Sequence, residues 1–507
     1  MHELASLLTR HARYRPESMA VVCDGERLDY RAFARRVARA GNLLRSLGIR
    51  AGDTVATACA NSLDLFTYFW AVPSIGATLA PLSPLLLADG LASLLRGADA
   101  RLLIADRALL PVLEQLGERR PELVLLLDAA ASGCIDGRAG LAAQPEELVP
   151  ARVRPEDVFN IMFTSGTTGD PKGIMHSHAV RAAYCTTIAA ALRMTPESRT
   201  LHTGAIVFNG AFAIMLPTLF LGAAFVLHRQ FDPRATLETI ERERITHMMV
   251  VPAQLVALLR CAQFDAARLA SLECVLSLGA PLLKPDKDRF NAALPGRLYE
   301  LYGLTEGFIT VLDRDDAVRK AGSVGVPPPF FHVRVVRDDG SDAAPGEVGE
   351  ILGYGPITMS GYYKRPDLTA QTLRDGWIHS GDLGYLDEDG FLYLVDRRKD
   401  MIDSGGVKVY PRDIEEVAAR HPDVREVAVF GVPHDTWGEA PLAAVILREG
   451  APADAGALRD WINERVAARY QRVAGVVVMT DFPRSAAGKT LKRELRAPFW
   501  AGSGRTI

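Results

Sequence analysis

Lysine is scarce in this chain. Only nine occur in 507 residues: Lys172, Lys284, Lys287, Lys320, Lys364, Lys399, Lys408, Lys489 and Lys492. Nearly all other positive charge is arginine. Net charge is equally sparse, because 58 Lys+Arg against 61 Asp+Glu leave −3. That excludes the broad basic field of a nucleic-acid binder and the acidic run of a solvated tail. Cysteine is rare too. Cys23, Cys59, Cys134, Cys185, Cys261 and Cys274 include no CxxC pair. This argues against a disulfide framework or a zinc ribbon, and for reduced, mostly buried thiols in a cytoplasmic protein.

Long apolar runs are also lacking. Thr203 to Leu227 carries no charge, but Asn209, Pro217 and three glycines interrupt it. It reads as a buried helix followed by a strand rather than a membrane span. Charges break the N-terminal MHELASLLTRHARYRPE before any apolar core of signal-peptide length forms. No transmembrane segment and no secretion are expected.

What is present describes a folded globular protein: 48% hydrophobic and 23% charged residues. At roughly 150 residues per domain, the length suits a large compound unit plus a small one. Strand-like and helix-like segments alternate. Phe33, Val37, Ala40, Leu44 and Leu47 recur at helical spacing, with Gly48 as a natural stop. Thr54 to Cys59 reads as a strand, Leu63 to Ser74 as a helix and Val158 to Phe163 as a strand. A helix over 178–194 follows, and Met248–Val251, Cys274–Ser277 and Arg297–Leu301 are further buried strands. Such alternation predicts parallel sheets. Composition shifts at Asp396–Asp400, a charged DRRKD. Beyond it, helices at 411–420 and 455–469 and strands at 427–430 and 474–480 predict a separate small domain. The predicted fold class is α/β. Residues 1–397 form a large N-terminal domain of parallel sheets with helices, and 398–507 a small α+β domain.

The most informative string is Thr164–Gly173, TSGTTGDPKG. Its three glycines let backbone amides approach a ligand closely. Ser165, Thr167 and Thr168 add hydroxyl donors, and Lys172 adds an ammonium. Read as a loop from a strand to a helix, the string is built to cradle an anion. It does not fit GxxxxGK[ST]. The one GKT, at Gly488–Thr490, has Pro483 where that pattern needs glycine, which disfavours a P-loop NTPase.

TSGTTGDPKG resembles the phosphate loop of the adenylate-forming superfamily, which includes acyl- and aryl-CoA synthetases, peptide-synthetase adenylation domains and beetle luciferases. Further strings resemble that family's other motifs, in order. By this resemblance Thr164, Ser165, Gly166, Thr167, Thr168, Gly169 and Lys172 hold phosphate. Gly279, Ala280 and Pro281 form the turn against adenine. In Tyr302-Gly303-Leu304-Thr305-Glu306, Tyr302 stacks on adenine, Thr305 contacts the α-phosphate and Glu306 holds Mg²⁺. Asp382 in Ser380-Gly381-Asp382 bonds the ribose, as does Arg397, and Lys399 is the hinge. Gly405 and Gly406 line a tunnel for the pantetheine arm of CoA, with Lys408 and Trp437 nearby. Lys489, in Pro483–Lys489 (PRSAAGK), is the catalytic lysine. His178 lies close to the acyl and phosphate region. Phe208, Asn209 and Gly210 face the acyl group.

The implied activity is AMP-forming ligation of a carboxylic acid to CoA, with ATP and Mg²⁺ required. Carboxylate and ATP are both anionic, so attack on the α-phosphate needs that charge neutralised. No GxSxG or HExxH supplies a protein nucleophile or zinc site. Asn209 is neutral where amino-acid-activating relatives carry aspartate, and a buried ammonium without a counter-charge is costly. Simple acids are therefore favoured: aryl or phenylpropenoid acids, or medium-chain or alicyclic ones. Phe208 stands where many acyl-CoA synthetases have histidine. Two alternatives remain open: loading of a separate carrier protein's phosphopantetheine, and a catalytically silent nucleotide-binding module. A monomer or homodimer is expected.

Replacing Lys489 with alanine should abolish pyrophosphate release while the circular dichroism spectrum stays that of the wild type.

Overall fold

The computed structural model describes residues 4–164, 172–404, 407–452, 454–484 and 490–501. Two eight-stranded sheets dominate. The first runs, edge to edge, Ile309–Leu312, Leu298–Gly303, Cys274–Leu278, His247–Val250, Arg199–His202, Ala224–Leu227, Met19–Cys23 and Glu26–Asp29. The second runs Gly361–Tyr362, Lys172–Ser177, Val158–Thr164, Thr78–Pro81, Thr54–Ala58, Ala100–Ala105, Leu123–Leu126 and Ile135–Asp136. Both are parallel at their centres; the first is antiparallel at both edges, the second only at the Gly361–Tyr362 edge. Their central strands are buried along their length, as strands covered on both faces are.

Four helices fill the space between these sheets: Tyr30–Ser46, Leu63–Ser74, His178–Ala191 and Asn209–Leu221. Phe66 stacks between Phe33 and Phe225, with ring centroids at 5.3 and 4.9 Å. Outer helices such as Pro233–Glu243 and Ala88–Gly97 cover the far faces. The uncharged stretch 203–227 is the buried helix Asn209–Leu221 and the strand Ala224–Leu227, as its interruptions predicted. Gly222 ends the helix at φ +76°, a left-handed conformation that suits glycine. Among the described residues, no helix is long and apolar enough to cross a membrane, and all six cysteines are unpaired.

A third, antiparallel sheet joins His332–Val336, Gly349–Tyr354, Trp377–Leu386 and Leu373–Arg374, with Leu392–Arg397 added on Trp377–Leu386. The fourth sheet uses only strands from Ile402 onward: Val407–Val409, Ile402–Ser404, Gly438–Leu447, Val424–His434 and Gly475–Met479. Helices Pro411–Ala418 and Ala455–Asn463 pack on it through Ile414, Ala418 and Ile462.

Three expectations need correction. The glycine-rich string does not lead from a strand into a helix. Val158–Thr164 and Lys172–Ser177 pair antiparallel, with Thr164 opposite Lys172, and the helix starts only at His178. Lys172–Ser177 is only six residues long and mostly buried on both faces, a signal too short to separate from a helix start. The strand expected at 427–430 is eleven residues long and pairs with Gly438–Leu447, which sequence reading did not single out. The helix expected at 455–469 stops at Asn463.

Gly307 closes the turn after Glu306. It sits at φ +120°, and a Cβ there would collide with the Ile357 carbonyl. Gly340, at φ +84°, has open space around it. Gly307→Ala should therefore cost on the order of 2–4 kcal/mol in denaturant titration, and Gly340→Ala only about 1 kcal/mol.

Candidate active site

The short strand Gly361–Tyr362 is the organising element. It pairs with Lys172–Ser177, placing Tyr362 opposite Ile174, and the Tyr363 amide donates to the Gly173 carbonyl at 2.7 Å. The Tyr362 hydroxyl donates to Glu306 Oε1 at 2.7 Å. The Lys172 ammonium lies 5.4 Å from the centre of the same ring. One tyrosine thus touches both the lysine of the phosphate-loop string and the carboxylate of the YGLTE motif. The Met359 amide donates to the Glu306 carbonyl at 2.8 Å, fixing the backbone behind that carboxylate.

Tyr302 ends the Leu298–Gly303 strand at the carboxyl edge of the first sheet, where ligands of parallel sheets bind. Its hydroxyl donates to Asp382 Oδ2 at 2.8 Å, and its ring meets Phe308 edge-on. Burial, then the Asp382 charge, hold the phenol well above its ordinary pKa, so it stays a donor. Asp382 also pairs with Arg397 Nε at 3.4 Å. The antiparallel pairing of Trp377–Leu386 with Leu392–Arg397 sets Asp382 opposite Arg397. Gly381, at φ +69°, lies in an irregularity of the strand Trp377–Leu386 just before Asp382. Gly279 follows strand Cys274–Leu278 at φ +91°, leaving Ala280 and Pro281 exposed.

Helix Asn209–Leu221 carries the expected acyl-pocket residues. Phe208 caps it in an extended conformation and rests half-buried against the main core. Asn209 Nδ2 donates to the Tyr184 hydroxyl at 3.0 Å. A Cβ on Gly210 would stand 3.1 Å from both Leu278 and Met249, so the helix start lies against the strand ends that lead to Gly279.

His178 opens the helix His178–Ala191. It is 1% exposed, lies edge-on to Phe159, and burial lowers its pKa to about 4. The histidine that reaches the YGLTE motif is His176, whose Nε2 is 2.8 Å from the Thr305 carbonyl. Sequence reading passed over His176, Arg181, Tyr184 and Tyr362. The only available signal was HSH itself, in which His176 lies on the strand and His178 opens the helix.

At the end of strand Leu392–Arg397, Asp396 accepts from the Arg412 amide at 3.1 Å, and the Arg412 side chain donates to the Leu394 carbonyl at 2.8 Å. Lys492 pairs with Glu415 at 2.7 Å. Ser404 stands opposite Gly438, and the neighbouring Trp437 is half-exposed. Lys408 is exposed on Val407–Val409, and Lys399 is exposed just after Arg397. Ser165, Gly166, Thr167, Thr168, Gly169, Gly405, Gly406 and Lys489 lie outside the described residues.

The comparisons agree with this geometry. Residues 8–363 match the family model "AMP-binding enzyme", and 413–489 match "AMP-binding enzyme C-terminal domain". A feruloyl-CoA synthase of an Amycolatopsis species is 37% identical over 506 residues, covering 98% of this chain and 99% of that one. The ATP-bound MatB of Rhodopseudomonas palustris superposes with a TM-score of 0.90 at 27% identity, over 99% of this chain and 100% of that one. The o-succinylbenzoate CoA synthetase of Bacillus subtilis, in complex with its acyl-adenylate intermediate, gives 0.87 at 28%, over 97% and 98%. Fold and gathered motifs are those of an adenylate-forming enzyme. The chain belongs to the AMP-binding enzyme family.

Asp396 gives a pH test. Burial, opposed by Lys492, pushes its carboxyl up to about 6. The folded state then holds a proton that the unfolded state releases near pH 4. The stability it contributes is present below about pH 4 and lost as pH rises towards 6. Relative to wild type, Asp396→Asn should therefore gain stability between pH 4 and 6, read as the difference in thermal midpoint.

Proposed function

We propose that this enzyme is an ATP-dependent, AMP-forming acid–CoA ligase acting on a ring-bearing carboxylic acid. One observation carries the reading: Lys172, Glu306, Tyr302, Asp382 and Arg397, far apart in sequence, converge through Tyr362 and the Tyr302–Asp382 bond. In the first half-reaction a carboxylate oxygen attacks the α-phosphorus and pyrophosphate leaves. In the second, the CoA thiol attacks the acyl carbonyl and AMP leaves.

Tyr302 offers adenine a flat ring held from behind by Phe308. Asp382 and Arg397 hold the ribose hydroxyls. Lys172 and Lys489 bring ammonium charge to the phosphates. Glu306 fits a Mg²⁺ ligand. Among the described residues no cluster of three His, Cys, Asp or Glu could hold a metal, but Mg²⁺ commonly takes one or two carboxylates and completes its shell with phosphate oxygens. Mg²⁺ held there would neutralise phosphate charge. The small domain, turning about Lys399, would present Gly405, Gly406 and Trp437 to the incoming thiol.

The neutral Asn209 leaves an α-ammonium without a partner, which disfavours amino acids. Phe208 and the apolar Met249 and Leu278 beside Gly210 suit a flat ring. The feruloyl and o-succinylbenzoate relatives act on ring-bearing acids, which supports the same choice. A cytoplasmic location is part of this reading, since ATP and CoA are its substrates.

The test is pyrophosphate release across a panel of aryl, alicyclic, fatty and amino acids, with CoA, with a phosphopantetheinyl carrier protein, and with neither. Aryl acids should release pyrophosphate and yield a CoA thioester. Thioester on the carrier protein alone would replace CoA as acceptor, and silence across the whole panel would overturn the ligase reading.

A further inference from the structure

Beneath the YGLTE motif runs a chain of polar groups that none of these roles uses. Asn160 on strand Val158–Thr164, His176 on Lys172–Ser177 and Arg181 on helix His178–Ala191 are each 0% exposed. Arg181 Nε donates to Asn160 Oδ1 at 2.8 Å, and its Nη2 lies 3.2 Å from His176 Nδ1. The guanidinium face rests on the Phe212 and Tyr184 rings at 4.3 and 4.6 Å. Among the described residues no acidic side chain pairs with it.

A guanidinium buried without a carboxylate is costly, and an apolar side chain would fill the same space more cheaply. What an apolar side chain cannot supply is direction. Arg181 has only donors, so His176 Nδ1 must accept. The imidazole proton is thereby placed on Nε2, where it donates to the Thr305 carbonyl at 2.8 Å. Burial and the Arg181 charge keep the ring neutral. The chain ends on the backbone of the residue that precedes Glu306.

We propose that His176 and Arg181 are positioning residues for the nucleotide: the pair anchors the Thr305 backbone so that the Thr305 hydroxyl and the Glu306 carboxylate are presented to MgATP. This rests on the ATP-binding part of the function proposed above. Tyr184 extends the same packing to Asn209, but the bond that acts on the nucleotide side is His176 to Thr305.

Glutamine at 176 keeps one acceptor and one donor at the spacing of the two imidazole nitrogens. Phenylalanine keeps the ring and loses both. Calorimetric titration of MgATP into the full chain, with thermal midpoints in parallel, compares His176→Gln, His176→Phe and Arg181→Met. Losing a buried hydrogen bond on the nucleotide loop should weaken MgATP binding about ten- to a hundredfold in His176→Phe. His176→Gln should stay within about threefold of wild type. Arg181→Met, which frees the tautomer, should fall between them. If His176→Phe does not fold, His176→Asn takes its place, with the same groups on a shorter reach and the same expected loss. Wild-type affinity in His176→Phe or His176→Asn, or equal losses in the glutamine and phenylalanine variants, would overturn the proposal. MgATP binding needs no knowledge of the acid, so a silent acid panel would overturn the ligase reading and leave this one standing. Failure of the wild type to bind MgATP would overturn both.

Discussion

The hydrogen bond from Tyr362 to Glu306 is the contact on which the site depends. It joins a strand at the edge of the second sheet to a loop at the carboxyl edge of the first. Between those sheets lie four helices and the largest apolar cluster of the molecule. That core fixes how far apart the two sheet edges stand. The phenol holds the Glu306 carboxylate from one side and so restricts its rotamer. The same ring lies beside Lys172, so the carboxylate and the ammonium share one scaffold.

Scarcity of lysine and near-zero net charge fit this arrangement. The substrates are strongly anionic, yet no global field is needed to hold them, because the positive groups are local and few. Arginine carries most of the generic surface pairing, as at Arg337–Glu347 and Arg154–Asp157. Such exposed pairs contribute little each. The charges that are costly to keep sit inside, and Arg181 is the extreme case, with burial lowering even a guanidinium to about 10. A fold that retains such a group gives up stability, and the gain lies in the bonds the group directs.

At the junction with the small domain the balance is different. Asp396, Glu415, Lys492 and Arg412 form a network in which burial and charge oppose each other. Burial alone would lower the Lys492 pKa, but Glu415 and Asp396 outweigh it and raise it. The contact between strand Leu392–Arg397 and the small domain therefore includes this polar network. Polar contacts of this kind can be exchanged for water at modest cost, which suits a joint expected to turn.

The alternation of strands and helices, the buried nature of 203–227 and the order of the motifs were all legible in the sequence by itself. Apolar runs, glycine stops and motif strings are local properties, and local properties survive without coordinates. The strand after the glycine-rich string, the long hairpin Val424–Leu447 and the role of His176 were not legible. Each depends on a partner distant in sequence: Gly361–Tyr362 for the strand, Gly438–Leu447 for the hairpin, Thr305 for the histidine. HSH shows two histidines with nothing to rank them. Only the tertiary structure decided which one reaches the motif, because His176 stays on the strand that faces Thr305 while His178 has already entered the next helix, and both environments are made by other elements of the fold.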